Sequence, residues 1–282
     1  MVIIQKTFFQ SKSILYLVST PIGNLSDISL RALEILKTVD YILTEDTRRA
    51  RKLTSYYKIQ KPLISFHKYN EQKRLSKVLN LLKEKNNLAL ISDSGTPLIC
   101  DPGLGLIKEV KKSGFFVTAV PGSSAFLTAF TLSSLEFPFC FLGFFPKKTK
   151  AREELLLKYY AFDGTLIFYE SAKRIHSTLL FIQKHYQKRK IVLARELTKK
   201  FETIISGDID MVLQQHLSLK GEYVLLIEKN FHPHLIEKKI DFKQYINLFL
   251  KQGFSEKEAL KQVAKICRLS KKEIYKKIKI IE

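Results

Sequence analysis

The sequence predicts an α/β protein built as two α/β domains with a small helical tail, and three observations lead there. Short apolar runs alternate with amphipathic stretches along most of the chain, the pattern of a sheet covered by helices. Loops rich in Gly, Pro and small polar residues stand where strands hand over to helices. At 282 residues, 45% hydrophobic and 27% charged, the chain exceeds a typical single domain and has a globular composition.

Taken in order, the apolar runs predict strands at Ile14–Val18, Tyr41–Thr44, Leu63–Phe66, Leu88–Ser92 and Phe115–Val120. Amphipathic stretches between and after them predict helices at Leu30–Val39, Thr47–Tyr57, Gln72–Lys85, Leu104–Lys112 and Ser123–Ser133. After Leu135 the rhythm changes. Phe139–Phe144, Thr165–Tyr169, Ile191–Ala194, Phe201–Ser206 and Tyr223–Glu228 read as strands, with helices at Glu153–Tyr160, Lys173–Tyr186 and Asp208–His216 and a Lys-rich loop, "PKKTKAR", after the first strand. This strand-richer half is expected to be partly antiparallel. The domains are expected at 13–135 and 136–230, with the boundary near Leu135–Pro138 and a basic helical tail at 236–282. "NFHPH" serves as the linker to three short helical patterns. Two of them open on Ser-x-x-Glu capping boxes, "SEKE" at Ser255–Glu258 and "SKKE" at Ser270–Glu273, at about helix-turn-helix spacing. From Phe231 to Glu282 there are 13 Lys or Arg against 6 Asp or Glu. That suits an RNA-facing or dimer-facing appendage as well as a plain three-helix packing module.

Lys and Arg number 48 against 27 Asp and Glu, a formal charge of +21. The imbalance points to a polyphosphate or another acidic surface as partner, while a lysine-rich genome would produce the same excess. Cys100, Cys140 and Cys267 are odd in number and widely spaced, which argues against disulfides and a zinc site and for a reducing cytoplasm. Met1–Gln10 has no secretory pattern. Phe126–Phe145 is apolar, but Glu136, Pro138 and the Ser133-Ser134 pair interrupt it, so a buried helix followed by a buried strand is expected rather than a membrane span.

Four loops carry the chemistry: "STPIGN" (Ser19–Asn24), "EDTR" (Glu45–Arg48), "SDSGTPLICDPG" (Ser92–Gly103) and "VPGSSA" (Val120–Ala125). Ligands of open α/β sheets bind at carboxyl ends of strands, where such loops sit. None is a G-x-G-x-x-G, a G-x-x-x-x-G-K-[ST] or a G-x-S-x-G motif, which sets aside nicotinamide cofactors, P-loop hydrolysis and a serine hydrolase. His67 and His176 are isolated.

"VSTPIGNLSDISLRALEILKTVDYILTEDTR", "FHKYNE", "ALISDSGTPLICDPG", "VPGSSA", "GFFPKK", "TLIFYESAKRI", "VLARELTKKFET" and "GEYVLLIE" follow one another in that order. Together, over Leu15 to Glu228, they resemble the tetrapyrrole methylase-like superfamily, class III methyltransferases, and more narrowly the ribosomal RNA small subunit methyltransferase I family. The resemblance implies S-adenosylmethionine held in a cleft between two α/β domains, a homodimer, and methylation of the 2′-hydroxyl of a decoding-centre cytidine in 16S rRNA. Pro21, Ile22 and Gly23 would then form a floor beside the cofactor, or the turn is a plain one with Ser26 or Asp27 as helix cap. Asp93, Ser94, Gly95 and Thr96 would line the cofactor, with a helix cap as the other role for Asp93. Pro121, Gly122, Ser123, Ser124 and Ala125 would add to them, Ser123 departing from the family's more usual Pro. From the second domain, Phe168, Tyr169 and Glu170 with Glu196, Leu197 and Thr198 would close over the donor, although an aromatic in a strand is more often core.

A ribose hydroxyl needs a base or an orienting group near it. Glu45, Asp46, Arg48, His67, Asn70 and Glu71 are the candidates, with Asp46 or Glu71 expected to assist deprotonation. Arg48 either clamps a phosphate or holds a neighbouring carboxylate. Lys173, Arg174 and Lys199 suit backbone phosphates or are surface cations. Rival readings are a same-fold enzyme acting on a tetrapyrrole or a protein, and a non-enzymatic RNA-binding assembly factor. No metal is expected.

Overall fold

The computed structural model describes residues 5–7, 12–160, 162–186, 189–229, 242–251, 253–267 and 270–279. The linker "NFHPH" lies outside them. Contacts divide the chain into two units, Met1–Thr131 with Glu196–Thr203, and Leu132–Arg195 with Ile204–Glu282.

The first unit carries a parallel sheet of β1 (Ile14–Val18), β2 (Tyr41–Thr44), β3 (Leu63–Ser65), β4 (Leu88–Ile91) and β5 (Phe116–Val120), in the order β3-β2-β4-β1-β5. All four residues of β4 are buried, as expected of a central strand covered on both faces. Helices α1 (Leu30–Thr38) and α2 (Thr47–Tyr56) pack one face through Ala32, Leu36 and Ala50. Helices α3 (Glu71–Lys83) and α4 (Leu104–Lys112) pack the other through Val78, Leu82, Leu106 and Val110. The cause is topological: β1 and β2 cross over in one direction and β3 and β4 in the opposite one, so right-handed crossovers put their helices on opposite faces. The loop after β4 therefore leaves toward the face opposite to the loops after its neighbours β2 and β1. That divergence opens a crevice at the strand ends. At the far edge, the Gln5 amide donates to Val117 O and accepts from Val117 N, covering part of the exposed ladder of β5.

The second unit carries a mixed sheet of β6 (Phe139–Phe144), β7 (Thr165–Ser171), β8 (Lys190–Arg195), β9 (Thr203–Asp208) and β10 (Glu222–Ile227), in the order β6-β7-β10-β8-β9. β6 runs parallel to β7, while β10 is antiparallel to both β7 and β8, as the strand-rich reading of this half anticipates. Helices α6 (Thr149–Tyr159), α7 (Ala172–His185) and α8 (Ile209–Leu213) accompany it. Helix α5 (Ala125–Ser133) precedes β6.

Several expectations need correction. Ser29, not Ser26 or Asp27, caps α1, its hydroxyl accepting from Ala32 N at 3.1 Å, while Asn24 caps a short 3-10 turn at Leu25–Asp27. The Lys-rich segment is not all loop: Thr149–Arg152 already belong to α6, and the Arg152 side chain is anchored on Pro146 O at 2.8 Å. Phe126–Phe145 forms a helix and a strand, but they are only partly buried. Leu127 and Leu132 on α5 are each 47% exposed, and β6 is half-buried because it lies at the sheet edge with one neighbour. In the tail, α9 (Phe242–Lys251), α10 (Glu256–Cys267) and α11 (Lys271–Lys279) surround Phe242, Tyr245, Leu260, Val263 and Ile274, against which Leu157 and Tyr160 also pack.

Candidate active site

At the strand ends of the first unit, the four loops are tied to one another, three of them closely. Thr20, just past β1, exchanges two backbone hydrogen bonds with Gly95 (Thr20 N to Gly95 O 2.9 Å, Gly95 N to Thr20 O 3.0 Å). The Thr20 hydroxyl donates to Ser92 O, and the Ser92 hydroxyl donates to Gly95 O. Ser19 N reaches Val120 O, the Ser19 hydroxyl reaches Thr96 Oγ1, and the Thr96 hydroxyl donates to Ser123 O. Small hydroxyl side chains thus satisfy loop carbonyls that no ladder reaches, which keeps irregular backbone ordered at a sheet end.

The glycines of these loops answer to the same packing. Gly95 has φ +84, a conformation side chains rarely adopt, and a Cβ there would meet Ile22 Cγ2 at 3.3 Å. A Cβ on Gly23 would lie 2.5 Å from Lys199 Cγ and 2.7 Å from Leu197 O and Thr198 Oγ1. The strand-end turn of Pro21, Ile22 and Gly23 is therefore shaped by the segment Glu196–Thr203 lying on it, and Asn24 N donates to Thr198 Oγ1 at 3.0 Å. Glu196 and Thr198 both sit at positive φ (49 and 65), with Leu197 buried between them. Pro121 and Gly122 are exposed, and Ser123, Ser124 and Ala125 half-buried, at the start of α5.

The carboxylates differ sharply in company. Asp46 caps α2, accepting from Arg48 N, and its two oxygens are gripped by Arg48 Nε at 3.1 Å and Nη2 at 2.8 Å. Those hydrogen bonds hold its carboxyl far below the usual range. Arg48 here clamps a neighbouring carboxylate, one of its two expected roles. Asp93 Oδ1 accepts from Asp46 N at 3.2 Å and Oδ2 lies 3.6 Å from Arg49 Nε, so its link to α2 runs through the cap residue's own backbone. Glu71 opens α3, but its Oε1 accepts from Leu106 N at 3.2 Å and so holds the first turn of α4. Asp46 and Glu71, the two groups expected to assist deprotonation, thus both hold helix starts in this structure. His67 accepts from Tyr69 N through Nδ1 and frames the turn with Asn70.

Asp101, within the Ser92–Gly103 loop but in no motif that picks it out, is the group that differs. Half-buried after β4, it feels burial first and then Glu45 and Asp93, and these push its carboxyl up to about 6. The backbone around it is strained, with Leu98 at φ 71 and Cys100 at φ 70. Only through-space neighbours single it out, and no spacing in the sequence encodes them.

Residues of the second unit expected at the donor site are mostly internal to that unit. Phe168 is fully buried in its core, and Tyr169 packs edge-on against Phe141 and Phe144. Glu170 is 2% exposed, accepting from Ser171 N and from the Thr178 hydroxyl and paired with Arg174 at 3.1 Å. Arg174 also donates to Phe145 O and Pro146 O, so its guanidinium organises the β6–α6 corner. Lys173 is exposed on α7, whereas Lys199, which belongs with the first unit, pairs with Glu196 at 3.1 Å. Among the described residues no group of three or more His, Cys, Asp or Glu is arranged to hold a metal ion, and no helix is long and apolar enough to cross a membrane.

Residues 14–212 match the family model of tetrapyrrole (corrin/porphyrin) methylases. A ribosomal RNA small subunit methyltransferase I of Bacillus subtilis is 37% identical over 278 residues, covering 95% of each chain. Its namesake from Pasteurella multocida is 42% identical over 269 residues, 93% of this chain and 95% of its own. That of Mycoplasmopsis pulmonis is 47% identical over 214 residues, 75% of this chain and 96% of its own. Among solved structures, a diphthine synthase superposes with a TM-score of 0.64 at 11% identity, over 78% of this chain and 91% of that one. A cobalt precorrin-4 methyltransferase gives 0.59 at 15% identity, over 76% and 94%. With the parallel first sheet, the mixed second one and the crevice-lining loops in place, these matches mean that the chain belongs to the tetrapyrrole methylase family, within its ribosomal RNA small subunit methyltransferase I branch.

Proposed function

We propose that this protein methylates 16S ribosomal RNA of the small subunit, at the 2′-hydroxyl of a cytidine in the decoding centre. The observation that carries the reading is the near end-to-end likeness to relatives of that name. S-adenosylmethionine, the family's methyl donor, brings a methyl group already activated on a sulfonium. The residues at the strand ends of the first unit fit such a cationic group: Glu45, Asp93 and Asp101 act on one another electrostatically there, and Ser19, Ser94 and Ser123 keep the walls small and polar.

The chain's own work is to place the ribose oxygen in line and to take its proton. We assign the proton to the Asp101 carboxylate. A base is most effective when its affinity for protons lies near the working pH, and Asp46 is held too acidic by Arg48 for that role. Glu71 is occupied at α4. With the donor bound, its methyl group would go to the ribose oxygen, and Asp101 would take the hydroxyl proton and hand it to water. Glu45 and Asp93 keep that carboxylate basic. The protein acts as a homodimer, a reading supported by apolar side chains left at the surface, Leu127 and Leu132 on α5 and Phe144, 62% exposed, on β6.

Deleting the gene and probing 16S rRNA by primer extension at limiting nucleotide tests the reading, because a 2′-O-methyl group halts the polymerase. One stop is expected to vanish and to return with the wild-type gene. An unchanged ladder of stops would point instead to a methyltransferase with another substrate, or to a binding factor.

A further inference from the structure

Tyr69 is 91% exposed, an unusual setting for an aromatic ring, on a turn that is fixed from several sides. Phe66 N donates to Thr44 O, holding the end of β3 against β2. Beyond it, His67 N donates to Asn70 Oδ1 at 2.8 Å, Asn70 N and Glu71 N both donate to His67 O at 2.9 Å, and Asn70 Nδ2 donates to Ser65 O. Tyr69 N donates to His67 Nδ1, and the two rings stand edge-on with centroids 6.1 Å apart. The backbone is held by hydrogen bonds while the ring, apart from its edge contact with His67, is left to solvent. A ring that served packing would be covered, so this turn spends its order on presenting an aromatic to solvent.

The neighbouring strand end supplies cations. Because Thr44 pairs with Ser65, α2 and the Tyr69 turn leave adjacent strands at the same edge of the sheet. Arg48, Arg51 and Lys52 occupy positions i, i+3 and i+4 of α2, all exposed, opposite the buried Ala50 and Thr54. Lys68 is exposed within the turn itself, and Lys73 in the first turns of α3. Placing this charge at the start of α2 runs against the helix dipole and crowds like charges along one face, while the first turn of that helix holds no acidic residue. Arg48 is taken up by the capping Asp46, but Arg51 and Lys52 form no ion pair among the described residues, and a polyanion lying across them would supply one. An exposed ring flanked by cations is the chemistry of single-stranded RNA binding, in which a base stacks and the adjoining phosphates are neutralised.

We propose that Tyr69 is a stacking platform for an unpaired base of the ribosomal RNA, with Arg51, Lys52 and Lys68 holding the phosphates beside it. The proposal rests on the substrate reading above and adds the surface that delivers the target strand to the strand-end crevice. Tyr69 on this view is a positioning residue that binds RNA and leaves the proton transfer to others.

The test uses the full chain, a labelled single-stranded oligoribonucleotide spanning the target cytidine, and isolated small subunits. Y69A is expected to bind the oligonucleotide about tenfold more weakly. Y69F should bind as wild type, since stacking uses the ring and not the hydroxyl. R51Q/K52Q should bind more weakly at low salt and lose affinity less steeply as salt rises. On subunits, Y69A should raise KM and leave kcat within about twofold, as loss of uniform binding does. Thermal melts will tell a folding defect from a binding one. Wild-type affinity of Y69A for the oligonucleotide would overturn the proposal, and so would equal weakness of Y69F and Y69A. Weakened binding to subunits with normal binding to the oligonucleotide would assign the ring to a protein partner and overturn it too. Should wild type bind RNA as expected yet transfer no methyl group to it, the substrate reading fails while the docking surface stands.

Discussion

The first unit's acidic residues show how neighbours, and not residue type, divide labour. Asp46 and Asp101 share one side chain, yet Arg48 clamps the first into a permanent anion while burial, Glu45 and Asp93 bring the second to a carboxyl that ionises at about 6. The expected outcome is a methyl-transfer rate that rises as pH climbs through about 6 and then levels. Asp101→Asn should erase that limb and lower the plateau by roughly 10²–10⁴-fold, the usual share of a general base. Stability runs the other way. An acid whose folded pKa lies above its unfolded value destabilises the fold as pH rises between the two, so melts of Asp101→Asn above pH 6 should be no lower than wild type. A pH–rate profile of the variant parallel to wild type would remove Asp101 from the chemistry. The glycines carry a similar lesson. Gly23 and Gly95 look in sequence like room made for a ligand, but a Cβ at Gly23 would run into Lys199 and Leu197, and Gly95 needs its positive φ to pair with Thr20.

Helices and strands were the most legible level. Patterns of apolar residues placed every strand of both sheets to within about two residues, because period two and period 3.6 are local properties that survive into the fold. The capping boxes were equally readable. Ser255 and Ser270 each exchange hydrogen bonds with the Glu three residues on: Ser255 N to Glu258 Oε2 2.9 Å and Glu258 N to Ser255 Oγ 3.4 Å, with Ser270 N to Glu273 Oε2 2.6 Å repeating the pattern. Ser255→Ala should cost about 1 kcal/mol in the local stability of α10. Hydrogen exchange should show faster exchange in α10 while the amides of β7 and β10 keep their rates; uniform acceleration across all three would mean the cap is coupled to the whole unit. What pattern could not supply was the start of α6 at Thr149, since Lys-rich sequence lacks an apolar stripe until Leu155 and the Arg152 anchor on Pro146 is a contact, not a period.

At the scale of the molecule, the charge of +21 and the apolar surface of α5 and β6 are separate demands on one exterior. The first suits a polyanion and keeps chains apart in solution; the second fits the proposed second copy. Sedimentation equilibrium at physiological salt should return twice the chain mass, and Leu127→Lys combined with Leu132→Lys should shift it toward one. A single-chain mass for wild type at all concentrations would dismiss the dimer. The sequence by itself determined the order and nature of the elements, the loops at the strand ends and the family, because each is written in short runs of adjacent residues. Only the tertiary structure decided which carboxylate is clamped, which is left basic, that Glu170 and Arg174 serve the interior, and that Tyr69 stands in solvent. Those outcomes depend on groups tens of residues apart meeting in space, where a few ångströms fix both charge state and burial.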